Sequence, residues 1–332
     1  MFKLMNMSIE QSRRDPLLTE DTFHAKTIDY FEATLNDEGL ISIISDQTKE
    51  KDHRKRVSWS VFGELFEKTI LDYSAGKDFV EIQSILHKTL SFYEEHKNNF
   101  PEHSLKYWEP DSYQYILWLF SLNTLLGDSS FSLSLIRCVS VSGNDDKLLS
   151  ILFSRLGIIG FPRGEELIFP KTYQYLFDAI KGDGAYPIKE ERQKSIKKYL
   201  SAWYKCMKNC YWHDRHKGRF PTFFGYWAFE AALVTVLYDL DDSSYRDMLH
   251  YPKDLVDHAR NNGVDKLFHT QNIKQRWIVF PSDASPISGR WFDNLSNEVI
   301  STVKGECMPG VFENAQGYRH FWVSEWLCCV NE

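Results

Sequence analysis

Large apolar residues recur at intervals of three and four along most of this chain. Between residues 59 and 73 they are Trp59, Phe62, Phe66, Ile70 and Tyr73. That spacing places all five on one face of an α-helix and does not fit the period-two alternation of a half-buried strand. Gly76 ends the run. The rhythm returns in Phe79, Ile82, Ile85, Leu86, Leu90 and Tyr93, ending near Asn99 ahead of Pro101. It returns again in Tyr113, Ile116, Leu117, Phe120 and Leu125, opened by Glu109-Pro110 and closed by Gly127. Proline just inside the start and glycine just past the end are the expected punctuation of helices. Behind Arg14-Asp15-Pro16, the residues Phe23, Ile28, Phe31 and Leu35 read as one more helical face. The charged stretch from Ser45 to Arg56 reads as an exposed loop. Shorter helices are expected around 133–141, 147–156 and 173–179, longer ones over 189–211 and 224–240, and another beyond Pro252. The expected fold class is mainly α, an antiparallel helical bundle or stacked helical hairpins.

The last residues break the pattern. Arg276-Trp-Ile-Val-Phe280 and Tyr318-Arg-His-Phe-Trp-Val323 are β-branched and aromatic runs separated by Pro281, Pro286, Gly289, Gly305, Pro309 and Gly310. They predict a small β-sheet in a C-terminal extension. The expected organisation is an N-terminal helical region over 1–185, a C-terminal helical region over 186–267 and an extension over 268–332.

A chain of 39.0 kDa buries about three-quarters of its extended surface on folding, enough for an apolar core without disulfides. The six cysteines, Cys138, Cys206, Cys210, Cys307, Cys328 and Cys329, have no framework spacing and read as reduced thiols. The N-terminus shows no apolar stretch of secretory length, and the run Tyr115–Phe120 is far shorter than the roughly 20 residues of a membrane span. A cytoplasmic protein without a membrane partner is expected. The net charge of −7 argues against a main role in gripping phosphate backbones and suits a basic partner.

Charge is unevenly distributed. Nine Lys or Arg stand against Asp214 alone between Arg192 and Arg219. Between Phe224 and His258, Glu230, Asp239, Asp241, Asp242, Asp247, Asp254 and Asp257 stand against Arg246 and Lys253. One reading is two solvated faces that neutralise each other. The sharper reading is an acidic turn, Tyr238–Ser244, that projects carboxylates at a basic partner. Asp239, Asp241 and Asp242 lack the glycine and distal glutamate of a calcium loop. Cys206, Cys210, His213 and His216 have zinc-ligand chemistry, but on a single helix the end ligands would lie roughly 15 Å apart, too far for one ion. No metal and no cofactor is expected. Glu230, among Trp227, Ala228, Phe229, Ala231 and Ala232, is read as a structural anchor paired with an arginine or histidine in preference to a general acid. The aromatics of 199–224, interleaved with basic residues, read as core rather than as a stacking platform for single strands.

Several of these stretches together resemble a known family. They are Tyr199-Leu-Ser-Ala-Trp203-Tyr, Trp212-His-Asp-Arg-His-Lys217, Phe224-Gly-Tyr-Trp-Ala-Phe-Glu230, Asp239-Leu-Asp-Asp-Ser243 and Tyr251-Pro-Lys-Asp-Leu-Val256, with Arg14-Asp15-Pro16, Phe23 and Tyr30 near the start. The pattern is similar to that of PoNi-type immunity proteins, over roughly residues 14–260. The resemblance implies a mainly helical, cytoplasmic, non-enzymatic protein that neutralises a cognate PoNe-type DNase, a toxin delivered into rival bacteria. It assigns Gly225, Tyr226, Trp227 and Glu230 to the scaffold. It places Asp239, Asp241, Asp242, Tyr251 and Asp254 in an acidic neighbourhood, and Asp247 joins them as a partner-binding residue. The expected mechanism is occlusion of an electropositive nuclease groove by carboxylates, without direct nucleic-acid binding. The alternatives are a helical adaptor for some other protein, or a small metal-dependent hydrolase using His213, His216 and Glu230.

Overall fold

The computed structural model describes residues 8–127, 133–139, 146–160, 164–182, 185–269, 273–296, 298–311, 313, 315 and 320–325. The start of the chain, the last residues with Cys328 and Cys329, and Tyr318 and Arg319 of the expected last strand lie outside them. The fold is mainly α, with a small mixed sheet in the C-terminal part. Two compact units divide the chain. One comprises the chain up to Phe100 together with Cys210–Trp227; the other comprises Pro101–Asn209 and the chain from Ala228 onward.

In the first unit the long helix Lys51–Ser74 packs on Phe79–Asn99 and on Glu38–Ser45. Val57, Val61, Leu65, Ile44 and Phe100 form one of its cores. The helix begins inside the stretch expected as a loop, so the connection shrinks to residues 46–50. Arg54 explains why. It is buried, with Nε donating to the Ile44 carbonyl at 2.9 Å and Nη1 donating to Gln47 Oε1 at 2.7 Å. A charged residue with its donors satisfied locally does not require a solvated loop.

The segment Glu20–Ala25 runs on as a π-helix over Lys26–Glu32 before Ala33–Leu35. Residues five apart share a face in such a segment. Lys26 and Phe31 therefore both point inward, while Ile28, expected on the buried face, is 55% exposed. Lys26 Nζ reaches Glu67 at 2.7 Å and Glu64 at 3.3 Å, which compensates its buried charge. Gly76 closes the Lys51–Ser74 helix with a φ of +85°, and a Cβ there would meet the Ser12 carbonyl oxygen at 1.8 Å.

In the second unit, helix Pro110–Leu125 is buried from Tyr113 to Leu125, and it packs against Phe229–Leu237, all of whose residues are buried. Helices with no wet face form the centre of a unit. Helix Pro170–Ile180 packs on Lys189–Cys206, with the Tyr173 and Tyr199 rings 6.3 Å apart. Buried Arg192 ties their connection by donating to the Pro187 and Ala179 carbonyls at 2.9 and 2.6 Å. Two helices are shorter than expected. The first stops at Cys206 instead of Tyr211, and the second starts at Phe229 instead of Phe224. Of the residues removed from their facing ends, Cys210, Tyr211 and 224–227 belong to the first unit.

The sheet has the order β1 (Ile158–Ile159), β2 (Arg276–Val279), β5 (Trp322–Ser324), β3 (Gly289–Asp293) and β4 (Val299–Thr302). β1 pairs parallel with β2 and the remaining pairs are antiparallel. Val279, Trp291, Met308 and Trp322 form its core. Two of its strands occupy the expected runs. β1 comes from well before the extension.

Candidate functional site

The acidic turn follows directly from the buried helix Phe229–Leu237. That helix ends at Tyr238, and Asp239 takes a left-handed φ of 46°, turning the chain outward while Leu240 returns to the interior. Short polar residues such as Asp tolerate this conformation better than most. Asp241 stabilises the next bend by accepting from the Ser243 amide at 3.0 Å and its hydroxyl at 2.9 Å. Those bonds hold its carboxyl below the usual carboxylate range.

The six residues expected to face a partner divide into an inner and an outer group. Asp242 is 5% exposed; it accepts from Arg246 at 3.0 Å, the Tyr251 hydroxyl at 3.1 Å and Arg260 at 3.3 Å. Arg246 also pairs with Asp257. Tyr251 is buried against Tyr245, and burial pushes both phenols well above their usual range. These residues fix the turn from beneath. Asp239, Asp241 and Asp247 are exposed, and Asp254 is half-buried. Asp239 pairs with Lys189 at 2.7 Å, and Asp247 pairs with Lys253 at 2.7 Å. The hydrogen bond from Lys253 lowers the Asp247 pKa.

The scaffold residues fall in two places. Gly225 has φ +122°, and a Cβ on it would lie 2.0 Å from Ser74 Oγ. Ser74 Oγ lies 2.7 Å from the Phe224 carbonyl and accepts from Trp227 Nε1 at 2.9 Å. The Tyr226 amide donates to buried Asp15 at 3.0 Å, and the other Asp15 oxygen accepts from the Leu17 amide at 2.9 Å. Burial raises the Asp15 pKa. Arg14 donates to the Tyr73 and Lys77 carbonyls at 2.9 and 2.8 Å, where a helix end leaves acceptors open. The Arg14-Asp15-Pro16 and Gly225-Tyr226-Trp227 motifs, about two hundred residues apart in sequence, are thus parts of one structural joint in the first unit.

Glu230 belongs to the second unit and is fully buried. One carboxylate oxygen accepts from the Tyr199 hydroxyl and Trp203 Nε1, both at 2.7 Å; the other accepts from Gln114 Nε2 at 3.0 Å. Gln114 in turn accepts from the Tyr173 hydroxyl at 2.7 Å. The arginine or histidine partner expected for Glu230 is replaced by neutral donors. Burial pushes its pKa up to about 7, against the opposing pull of those hydrogen bonds. Both oxygens are engaged, and none of its surface is open.

Cys206, the last residue of its helix, lies in the second unit; Cys210, His213 and His216 lie in the first. Cys206 Sγ faces the Lys171 carbonyl at 3.6 Å, and His216 Nδ1 lies 2.8 Å from the Tyr226 hydroxyl. No three His, Cys, Asp or Glu side chains gather as ligands among the described residues. Of the interleaved aromatics expected in the core, Trp203, Trp212 and Phe223 are core residues, whereas Tyr211 and Phe220 are exposed.

Sequence reasoning missed two features. Glu67 collects Lys26, the Tyr211 hydroxyl at 2.8 Å and Arg215 at 3.4 Å. A cavity of about 270 Å³ in the first unit is lined by Leu17, Thr19, Arg215, His216, Arg219 and Phe220, the last 64% exposed. The only hint of either in the sequence was the density of basic and aromatic residues after Tyr211.

The N-terminal model of the PoNe immunity protein (PoNi) family matches residues 14–136, and the family's C-terminal model matches residues 144–255. The chain belongs to the PoNi family. It is therefore an immunity protein against a PoNe toxin. The acidic turn and both joint motifs lie within the matched stretches, and most of the sheet lies beyond them. The crystal structure of protein PA2201 from Pseudomonas aeruginosa is similar over 76% of this chain and 99% of its own, at 20% identity and a TM-score of 0.49. No curated protein matches the sequence. Among the described residues, no helix of this PoNi protein is long and apolar enough to cross a membrane.

Proposed function

We propose that this PoNi protein acts in the cytoplasm, binds its PoNe toxin as a DNase, and occludes the toxin's phosphate-binding groove with the acidic turn. A nuclease groove concentrates positive charge to hold DNA, so a fixed set of carboxylates competes for the same donors. The observation that carries the reading is the two-tiered build of the turn. Asp239, Asp241 and Asp247 face water, while Arg246, Tyr251 and Arg260 converge on buried Asp242 and Arg260 also donates to the Leu240 carbonyl within the turn. Preorganised charge loses little entropy on binding. Exposed pairs such as Lys189–Asp239 are weak in water, and both carboxylates and lysines can be repartnered in a contact of standard size, about 1,600 Å². The reading needs no catalysis by this chain.

The test exchanges Asp239, Asp241 and Asp247 for lysine together, leaving buried Asp242 intact. Association with the cognate toxin is followed by stopped-flow between 50 and 300 mM salt, alongside rescue of cells expressing the toxin. We expect association to slow by about tenfold or more and to lose its salt dependence, since steering charges act mainly on the on-rate. Unchanged kinetics and full rescue would move the contact away from the turn, and the cavity beside Phe220 and Arg219 would be the next surface to alter.

A further inference from the structure

The helix Lys189–Cys206 carries a second charged surface, opposite in sign and unused by the proposed toxin contact. Its buried residues, Arg192, Ile196, Tyr199, Leu200 and Trp203, face the interior. On the opposite side Lys194, Lys197, Lys198 and Lys205 are all exposed, and Lys208 continues the line in the turn beyond. At 100° per residue the four helical lysines fall within an arc of about 100° and extend for roughly 16 Å along the axis. None of the five has an ion pair among the described residues; Lys198 alone has a ring contact, 5.7 Å above exposed Tyr175. Glu190 and Glu191 bound the stripe at the helix N-terminus, where acidic residues complement the helix dipole. Lysines three and four apart repel one another and weaken a helix. A chain that keeps them aligned and unpaired has a surface suited to a polyanion.

We infer that this lysine stripe binds the sugar–phosphate backbone of duplex DNA without reading its sequence. Evenly spaced, flexible point charges match a line of phosphates. Protein interfaces, in contrast, are depleted of lysine at their centres and rely on apolar or aromatic anchors. Helix Lys189–Cys206 has no large hydrophobic side chain among the exposed ones, which also disfavours insertion into a lipid surface. The net charge of −7, from which avoidance of nucleic acid was expected, does not oppose this. Fields between exposed charges fade over about 8 Å at physiological salt. Lys189, Lys253 and the two arginines already offset much of the acidic turn. An immunity protein held on DNA would stand where a DNase has to act, but binding by the stripe does not depend on the toxin reading being right.

The test is fluorescence anisotropy of the full chain with a labelled 25-base-pair duplex of random sequence. Binding should be measurable at 50 mM salt and fall by about 150- to 500-fold at 200 mM, the change for four or five phosphate contacts. Lys194→Gln, Lys197→Gln, Lys198→Gln and Lys205→Gln combined should abolish it while leaving the helical circular dichroism and toxin protection unchanged. Lys197→Gln and Lys205→Gln singly should each flatten the salt slope by about one unit, a readout that does not depend on the fourfold variant folding. Absence of duplex binding at 50 mM, a flat salt profile, or wild-type affinity in the neutralised variants would overturn the inference. Tighter binding to phosphatidylserine vesicles than to duplex would also overturn it, in favour of a lipid surface.

Discussion

Glu230 shows how a single residue sets a pH dependence. The unfolded chain ionises it near 4.5, and the folded chain holds its proton to about 7. Between those values the folded state binds the extra proton, so stability from this group is fullest below about pH 4.5 and is lost as pH rises to 7, by about 3 kcal/mol. Glu230→Gln should remove that slope. Urea unfolding of both proteins from pH 4.5 to 8 is expected to show the variant gaining on the wild type as pH rises; parallel curves would exclude this account. Gly225 makes a different demand, because its positive φ and its approach to Ser74 leave no place for a Cβ. Gly225→Ala should destabilise by on the order of 2–3 kcal/mol, read as a lower unfolding midpoint at unchanged m-value.

At the scale of elements, the acidic turn depends on residues that never reach its surface. Asp242→Asn removes the charge that Arg246 and Arg260 share. The expected cost is on the order of 2 kcal/mol, less than a fully buried pair loses because both arginines keep some contact with water. Hydrogen exchange at the amides of 243–245 should accelerate, with exchange in helix Pro110–Leu125 unchanged. The sequence legibly contained the helices whose apolar period is clean, such as Phe79–Asn99 and Pro110–Leu125. It misled where a local rule met a tertiary demand. Lys51–Arg56 looks like a solvated loop until Arg54 finds carbonyl and amide acceptors, and Ile28 looks buried until a π turn shifts the register. Charge patterning located the acidic turn, but spacing alone does not separate carboxylates that face water from the one that braces them.

For the whole molecule, two charged faces of opposite sign lie on the same unit and touch at the Lys189–Asp239 pair. If they serve different partners, Asp239→Lys, Asp241→Lys and Asp247→Lys combined should slow toxin association without weakening duplex binding, and Lys194→Gln, Lys197→Gln, Lys198→Gln and Lys205→Gln combined should do the reverse. Measuring both ligands on both variants checks this, and a shared loss would mean one common surface.

The sequence by itself determined that the chain is mainly helical, where several helices begin and end, and to which family it belongs, because helix period, capping and motif identity are local properties of a chain. Only the tertiary structure decided that Cys210–Trp227 leaves its sequence neighbours to join the first unit, and that Asp15 meets Tyr226 there. It also decided which carboxylates stay in water and which are buried. Those outcomes depend on satisfying buried donors and acceptors between segments far apart in the chain, and no local pattern encodes that pairing.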